Sequence, residues 1–283
     1  PTVKEHLIFK SVDDKYISLM FLLDNVFEFK FEFDFDLLRQ HVRIAQRVMD
    51  DIVDLELEAI GKILSKIQSD PESDDLKRTE RELWQKIKDK TEKGRRTGLG
   101  TTAEGDMLAA MGLTYGTPEA IYFSEQVHQT IAVESYRSSV IMAEERGAFP
   151  IFDAKREENN PFLGRIKMVD SSLYEQMKKS GRRNIACLTI APTGTTSMMS
   201  QTSSGIEPVF MPVYKRRKKV NPSDVNARVD YVDEVGDSFE EYVVFHHKFM
   251  TWMKVKGYDT KKRYSQSELD RLVVESPYYK ATS

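Results

Sequence analysis

With 283 residues, and 42 Lys plus Arg against 45 Asp plus Glu, the chain is long enough for one large domain or two small ones and carries no global field that selects nucleic acid or an acidic membrane. A single cysteine excludes an internal disulfide framework and suits a reducing compartment. No apolar run approaches the roughly 18 to 20 residues of a membrane span and no signal peptide is read ahead of Pro1, so the expected location is cytoplasmic.

Residues 1–30 have mixed character, with Tyr16 to Leu23 a strand or buried helix fragment and no function assigned. Phe31, Phe33 and Phe35 alternate with Glu32 and Asp34 as a short extended lead-in, and Asp36 is placed to cap the next helix. From Leu37, apolar residues recur at Leu38, Val42, Ala45, Met49, Ile52, Val53, Leu57, Ile60 and Ile67, which predicts a long core helix with a break near Asp54 or Gly61. Asp70 to Asp74 reads as a loop. Asp75 to Lys93 reads as a charged helix with a narrow apolar stripe, its charges a solvated face with pairs such as Glu82 and Lys86 at helical spacing.

Gly94 ends that helix, and Arg95 to Gly100 runs as an extended segment into a small-residue helix, Ala103 to Met111. Gly98-Leu99-Gly100 with Ala103 mimics a dinucleotide fingerprint on paper. A charged helix, not a buried strand, precedes it, so that reading is set aside. Thr117-Pro118-Glu119 starts a helix that buries Ile121, Val127, Ile131 and Ile141 and stops at Gly147. Lys155 to Phe162 is a polar loop with a turn at Asn159-Asn160-Pro161, and Ser171 to Lys179 is a short helix.

The next stretch organises the chain. Asn184 to Ala191 predicts one buried strand, followed abruptly by Pro192-Thr193-Gly194-Thr195-Thr196-Ser197 and then Met198, Met199 and Ser200, which continue as a short helix. A strand ending in a small, hydroxyl-rich turn that opens a helix presents backbone N–H groups at the positive end of the helix dipole, an anion site that needs no Lys. An ordinary N-cap cluster has the same composition, and the Walker pattern is absent.

Gly205-Ile206-Glu207-Pro208 leads to a second apolar run, Val209 to Tyr214; Glu207 is read as a turn residue ahead of a substrate contact. Lys215 to Lys219 is read as a solvated loop leaving a strand, not a nucleic-acid patch. Ser238-x-x-Glu241 and Ser265-x-x-Glu268 are capping boxes, the first opening a helix that ends at Gly257 and contains His246 and His247. Adjacent histidines diverge on a helix, so no metal site is proposed there, and His6, His41 and His128 are scattered with no carboxylate or cysteine cluster around them.

RRNIACLTIAPTGTTS and SSGIEPVF resemble the phosphate-binding loop and the motif after it in the catalytic subunit of ribonucleotide reductases, most closely the adenosylcobalamin-dependent (class II) branch. GRRTGLGTTAEGDMLAAMGLTYG, EERGAFPIFDA, NNPFLGRI, VYKRRKKVN and SPYYKAT are similar to that branch in the same order. The resemblance implies an α/β fold, a helix-rich and incomplete portion of a ten-stranded barrel, with 31–283 its C-proximal part and 1–30 a poorly matched lead-in. It implies Thr193, Gly194, Thr195, Thr196 and Ser197 as the holders of substrate phosphate, a ribonucleoside di- or triphosphate as substrate, adenosylcobalamin as cofactor, and as partners the remaining reductase segments and a thioredoxin-type reductant. The family's thiyl cysteine sits in an Asn-x-Cys-x-Glu loop that is absent here, and its electron-donating pair needs two cysteines. Cys187 is the only one, and its default reading is a buried thiol. No catalytic residue is therefore expected in this chain. A class I large-subunit segment and a non-catalytic nucleotide-binding remnant are the alternatives.

Overall fold

The computed structural model describes residues 32–221, 223 and 227–279, and these divide into two compact units. The readings for 1–30 and Phe31, and the last residues of SPYYKAT, lie outside the described residues.

The first unit comprises Asp34–Gly100 and Ser124–Ala191. Helix α1 (Phe35–Ser69) is a single unbroken 35-residue helix, without the expected break at Asp54 or Gly61. Its cap is Asp34, not Asp36: the Asp34 carboxylate accepts from the Leu37 amide at 2.8 Å. Val42, Val53, Ile60 and Ile67 are buried along one face, whereas Ile44, Val48, Ile52 and Leu55 leave an exposed apolar stripe. Helix α2 (Asp74–Gly94) is mostly exposed, with Arg78–Asp75 and Lys88–Glu92 pairs at helical spacing. It ends on Arg95 in the left-handed region (φ 43°), a strained conformation for a non-glycine residue.

Helix α4 (Pro118–Arg146) starts as predicted, with the Thr117 hydroxyl accepting from the Ala120 amide, and stops at Gly147 (φ 86°). Its core face carries Val127, Ile131, Val133, Tyr136 and Val140; Ile121 and Ile141, expected inside, are exposed. Asn159-Asn160-Pro161 is not a simple turn. Asn160 caps a helix, α5 (Pro161–Val169), by accepting from the Phe162 and Leu163 amides, with Pro161 at the first helical position. Asp170 caps the next, α6 (Ser171–Ser180), in the same way. Val140, Leu163, Ile166, Leu173, Met177 and Cys187 form the core of this unit.

The predicted buried strand is realised only in part. Segments 95–99 and 185–189 run parallel, joined by Leu99 N to Cys187 O (2.7 Å), Thr189 N to Leu99 O (3.0 Å) and a bridge between Leu99 and Leu188. Asn184 and Cys187 are fully buried, but Ile190 is exposed. The glycines that mimic a dinucleotide fingerprint serve this pairing: a Cβ on Gly100 would stand 2.6 Å from the Thr189 carbonyl oxygen.

The second unit comprises 32–33, Thr101–Phe123 and the described part of 192–279. It contains α3 (Glu104–Ala110), α7 (Gly194–Ser200), a three-stranded antiparallel sheet of β1 (Val213–Lys219), β2 (Tyr231–Val232) and β3 (Ser238–Phe245) in the order β1-β3-β2, then α8 (His247–Val255), α9 (Gln266–Glu275) and a 3₁₀ turn, Pro277–Tyr279. Strand β1 (Val213–Lys219) contains the five cations read from sequence as a loop; Val213 is buried and the rest of the strand is exposed. Ser238-x-x-Glu241 opens no helix, because Ser238–Phe245 is β3, paired with β1 from Val213–Phe245 to Lys219–Phe239. β-Branched and aromatic residues at 239 and 242–245 favour the sheet over the local cap signal. Ser265 and Glu268 do form a capping box, at the start of α9. Ala109, Val209, Val213, Phe249, Met253, Leu269, Leu272 and Tyr278 make the core.

Candidate functional site

Within the second unit, the hydroxyl-rich turn folds as read: Thr193 is the N-cap residue and Gly194 the first residue of α7. The five predicted residues have two different positions. Thr193 sits in the left-handed region (φ 47°), and its hydroxyl accepts from the Gly205 amide at 2.6 Å while donating to Thr102 Oγ1 at 3.0 Å. Ser197 is buried; its amide donates to the Thr193 carbonyl and its hydroxyl to the Gly194 carbonyl at 2.7 Å. Both hydroxyls are thus internal braces. Gly194, Thr195 and Thr196 are exposed, and no side chain caps the helix start. Their three amides lie in the first turn of the helix, where no intrahelical carbonyl is available to them.

The motif after the turn folds back on it. Gly205 has φ 52°, and a Cβ there would lie 2.3 Å from a Glu207 carboxylate oxygen, so Glu207 is folded over the glycine. Tyr115 donates to the Ile206 carbonyl at 2.9 Å. Burial, and the charges of Glu104 and Glu207 beside it, push the Tyr115 hydroxyl above its ordinary range.

A buried carboxylate that sequence reading missed lies behind this segment. Asp106 Oδ1 accepts from His246 Nε2 at 2.8 Å and from the Tyr278 hydroxyl at 2.7 Å. Its Oδ2 accepts from the Ser203 amide at 2.7 Å, and the Asp106 amide donates to Ser203 Oγ at 3.2 Å. Burial acts to raise the Asp106 carboxyl, but the donors from His246, Tyr278 and Ser203 outweigh it and hold the group below the usual carboxylate range. His246 is the N-cap residue of α8, not an interior residue, which frees its ring to turn inward. Three residues scattered over more than 170 positions leave no local pattern to find.

In the first unit, a second polar cluster fixes the segment that precedes the turn. Asn184 donates to Asp50 Oδ1 at 2.8 Å and to the Arg95 carbonyl at 3.0 Å, and accepts from Gln46 and Ser139. Arg95 donates to Asp50 at 2.9 Å and to Asp54 at 2.7 Å. Burial alone would raise the Asp50 carboxyl; the Arg95 and Asn184 hydrogen bonds and the Arg183 charge lower it instead. Asp50, Asp51 and Asp54 bring carboxylate oxygens within 4.8 Å of one another, but Arg95 and Arg146 neutralise them, so the trio is an ion-pair network. Cys187 is fully buried, and loss of solvent pushes its thiol up to about 12.

The family model for the ribonucleotide reductase barrel domain matches residues 18–271. The chain belongs to the ribonucleotide reductase barrel family. Among curated reductases, it is 32% identical over 123 residues to a vitamin B12-dependent ribonucleoside-diphosphate reductase of Mycobacterium tuberculosis, covering 43% of this chain and 15% of the relative. It is 31% identical over 181 residues to the protein of the same name from Thermoplasma acidophilum, covering 64% and 18%. A ribonucleoside-diphosphate reductase subunit alpha of Treponema pallidum is 25% identical over 128 residues, covering 44% and 15%. The chain therefore spans 15 to 18% of the length of these reductases. A helix-rich α/β portion of the reductase barrel is what the two units represent.

Proposed function

We propose that this chain is the phosphate-holding part of an adenosylcobalamin-dependent ribonucleotide reductase, with residues 31–283 a C-proximal portion of its barrel. The observation that carries the reading is the start of α7, which no side chain caps and where Gly194, Thr195 and Thr196 are exposed beside a turn braced from within. The B12-dependent relatives are named as ribonucleoside-diphosphate reductases, so a ribonucleoside diphosphate is the expected substrate. Three amides at a helix start hold its terminal phosphate, each such contact worth roughly 0.3 to 1 kcal/mol, and fix the far end of the nucleotide while the ribose reacts.

Adenosylcobalamin would supply the radical when bound. No described residue is assigned to it; His246, whose Nε2 is hydrogen-bonded to Asp106, is not offered as a ligand. Nor does the chain hold the reacting thiols, since its only cysteine is fully buried. Catalysis thus belongs to the chain joined with the remaining reductase segments, and the exposed stripe Ile44, Val48, Ile52 and Leu55 on α1 supports further segments packing there. A thioredoxin-type reductant and a cytoplasmic location complete the reading.

The direct test is titration of the chain with CDP by calorimetry, in the wild type and in Thr195→Ala/Thr196→Ala. Binding weakened several-fold in the double variant supports the assignment; unchanged affinity removes it.

A further inference from the structure

The Asp106 cluster plays no part in the phosphate reading, yet it connects to the turn by an unbroken path. Asp106 grips Ser203 twice, once through Oδ2 to the Ser203 amide and once from its own amide to Ser203 Oγ. The Ser203 carbonyl accepts from the Ala103 amide at 3.1 Å and from Thr102 Oγ1 at 3.2 Å. Thr102 Oγ1 in turn accepts from Thr193 Oγ1, which accepts from the amide of Gly205, two residues beyond Ser203. Glu104 closes the loop by donating its amide to the Gly205 carbonyl at 3.3 Å. All these groups belong to the second unit.

Two features make this more than ordinary packing. Thr193 and Gly205 both occupy the left-handed region, and a threonine is strained there, so the turn needs an outside brace to keep its shape. Asp106, 6% exposed, needs every one of its donors, because a buried carboxylate stripped of a partner is costly. The far end of the path is anchored by groups from two later elements, the cap residue of α8 and the 3₁₀ turn.

We infer that Asp106 is a positioning residue for the phosphate turn: held by His246 and Tyr278, it fixes Ser203, and through Thr102 and Thr193 it sets the direction of the Gly194, Thr195 and Thr196 amides. The effect on nucleotide affinity rests on the phosphate reading above; the control of the turn's conformation does not.

The experiment uses the whole chain with ¹⁵N-labelled glycine and threonine, in the wild type, His246→Leu, His246→Gln and Tyr278→Phe. Gln carries a donor close to the position of the imidazole Nε2, whereas Leu has none. The amide resonances of Thr193, Gly194, Thr195 and Thr196 are expected to shift in His246→Leu and return towards wild type in His246→Gln, with CDP binding weakened about tenfold and then recovered. Tyr278→Phe, which loses one hydroxyl and keeps the ring in the core, guards against a leucine variant that does not fold, and is expected to move the same four resonances. Turn amides at their wild-type positions in a folded His246→Leu or Tyr278→Phe protein would overturn the inference. Shifted turn amides in a chain that never binds CDP would uphold the positioning role and remove the phosphate reading.

Discussion

The hydroxyl of Thr193 accepts the Gly205 amide across twelve residues at 2.6 Å, so the first of the predicted phosphate ligands is turned into the molecule, not towards a ligand. Thr193→Val is accordingly expected to act on the fold of the turn. It leaves a buried amide without its acceptor, at about 1 to 3 kcal/mol, and should lower the denaturation midpoint of the chain.

Thr196→Glu separates helix stability from anion binding. Thr196 is the third residue of α7, where a carboxylate reaches back to the free amides. The expected result is stability unchanged or raised by about 0.3 to 1 kcal/mol, together with loss of CDP binding, because the new carboxylate occupies the donors and repels phosphate. Parallel thermal melts and calorimetric titrations read the two effects.

Asp50 should be the acid-sensitive point of the first unit. Its folded carboxyl lies below the ordinary range, so the stability it provides is present above the unfolded value and disappears as pH falls through the folded one. Circular dichroism from pH 6 to pH 2 should show a cooperative loss of helix at the acid end. Asp50→Ala, which strands Arg95 in a buried site, should cost about 3 to 5 kcal/mol at pH 7, and a cost under 1 kcal/mol would contradict the assignment.

Glycine substitutions should divide by what the missing Cβ would meet. Gly100→Ala drives a methyl into the Thr189 carbonyl and should destabilise by about 1 to 3 kcal/mol. Gly61→Ala, in the middle of α1 with nothing within 4 Å, should stabilise by about 0.5 to 1 kcal/mol. Urea denaturation of both variants reads the contrast.

Cys187 should resist alkylation. With the thiol buried and its ionisation pushed up to about 12, iodoacetamide at pH 8 should label native protein no faster than the protein unfolds, while urea-unfolded chain labels at once. Rapid labelling of native protein would show that the core around Val140 and Leu173 opens locally.

Much of the helical frame was legible because its signals are local. The apolar spacing of α1, the Thr117-Pro118 start of α4 and the Ser265 capping box each lie within a few residues of the element they specify. The turn at Thr193 was legible for the same reason. The illegible parts depend on partners distant in sequence. Ser238-x-x-Glu241 satisfies a helix-start pattern yet lies in β3, because pairing with β1 decides its state. Ile121 and Ile141 fit the core stripe of α4 but lie on its open side. His246 reads as half of a helical pair until Asp106, 140 residues earlier, turns its ring inward.

Strand β1 has a consequence for how the protein behaves in solution. Among the described strands it has one neighbour, β3, so its other side exposes backbone donors and acceptors to any extended chain. Lys215, Arg216, Arg217, Lys218 and Lys219 are five consecutive exposed positions of this edge strand, alternating between the two faces of the sheet, with Arg217 paired to Glu241 and Lys219 to Asp237. Two molecules pairing along this edge would set like charge against like charge at Lys215, Arg216 and Lys218, inside the roughly 8 Å over which physiological salt screens. The stretch that looks most like a nucleic-acid patch in the sequence is thus a charged sheet edge, the kind that disfavours strand pairing between copies.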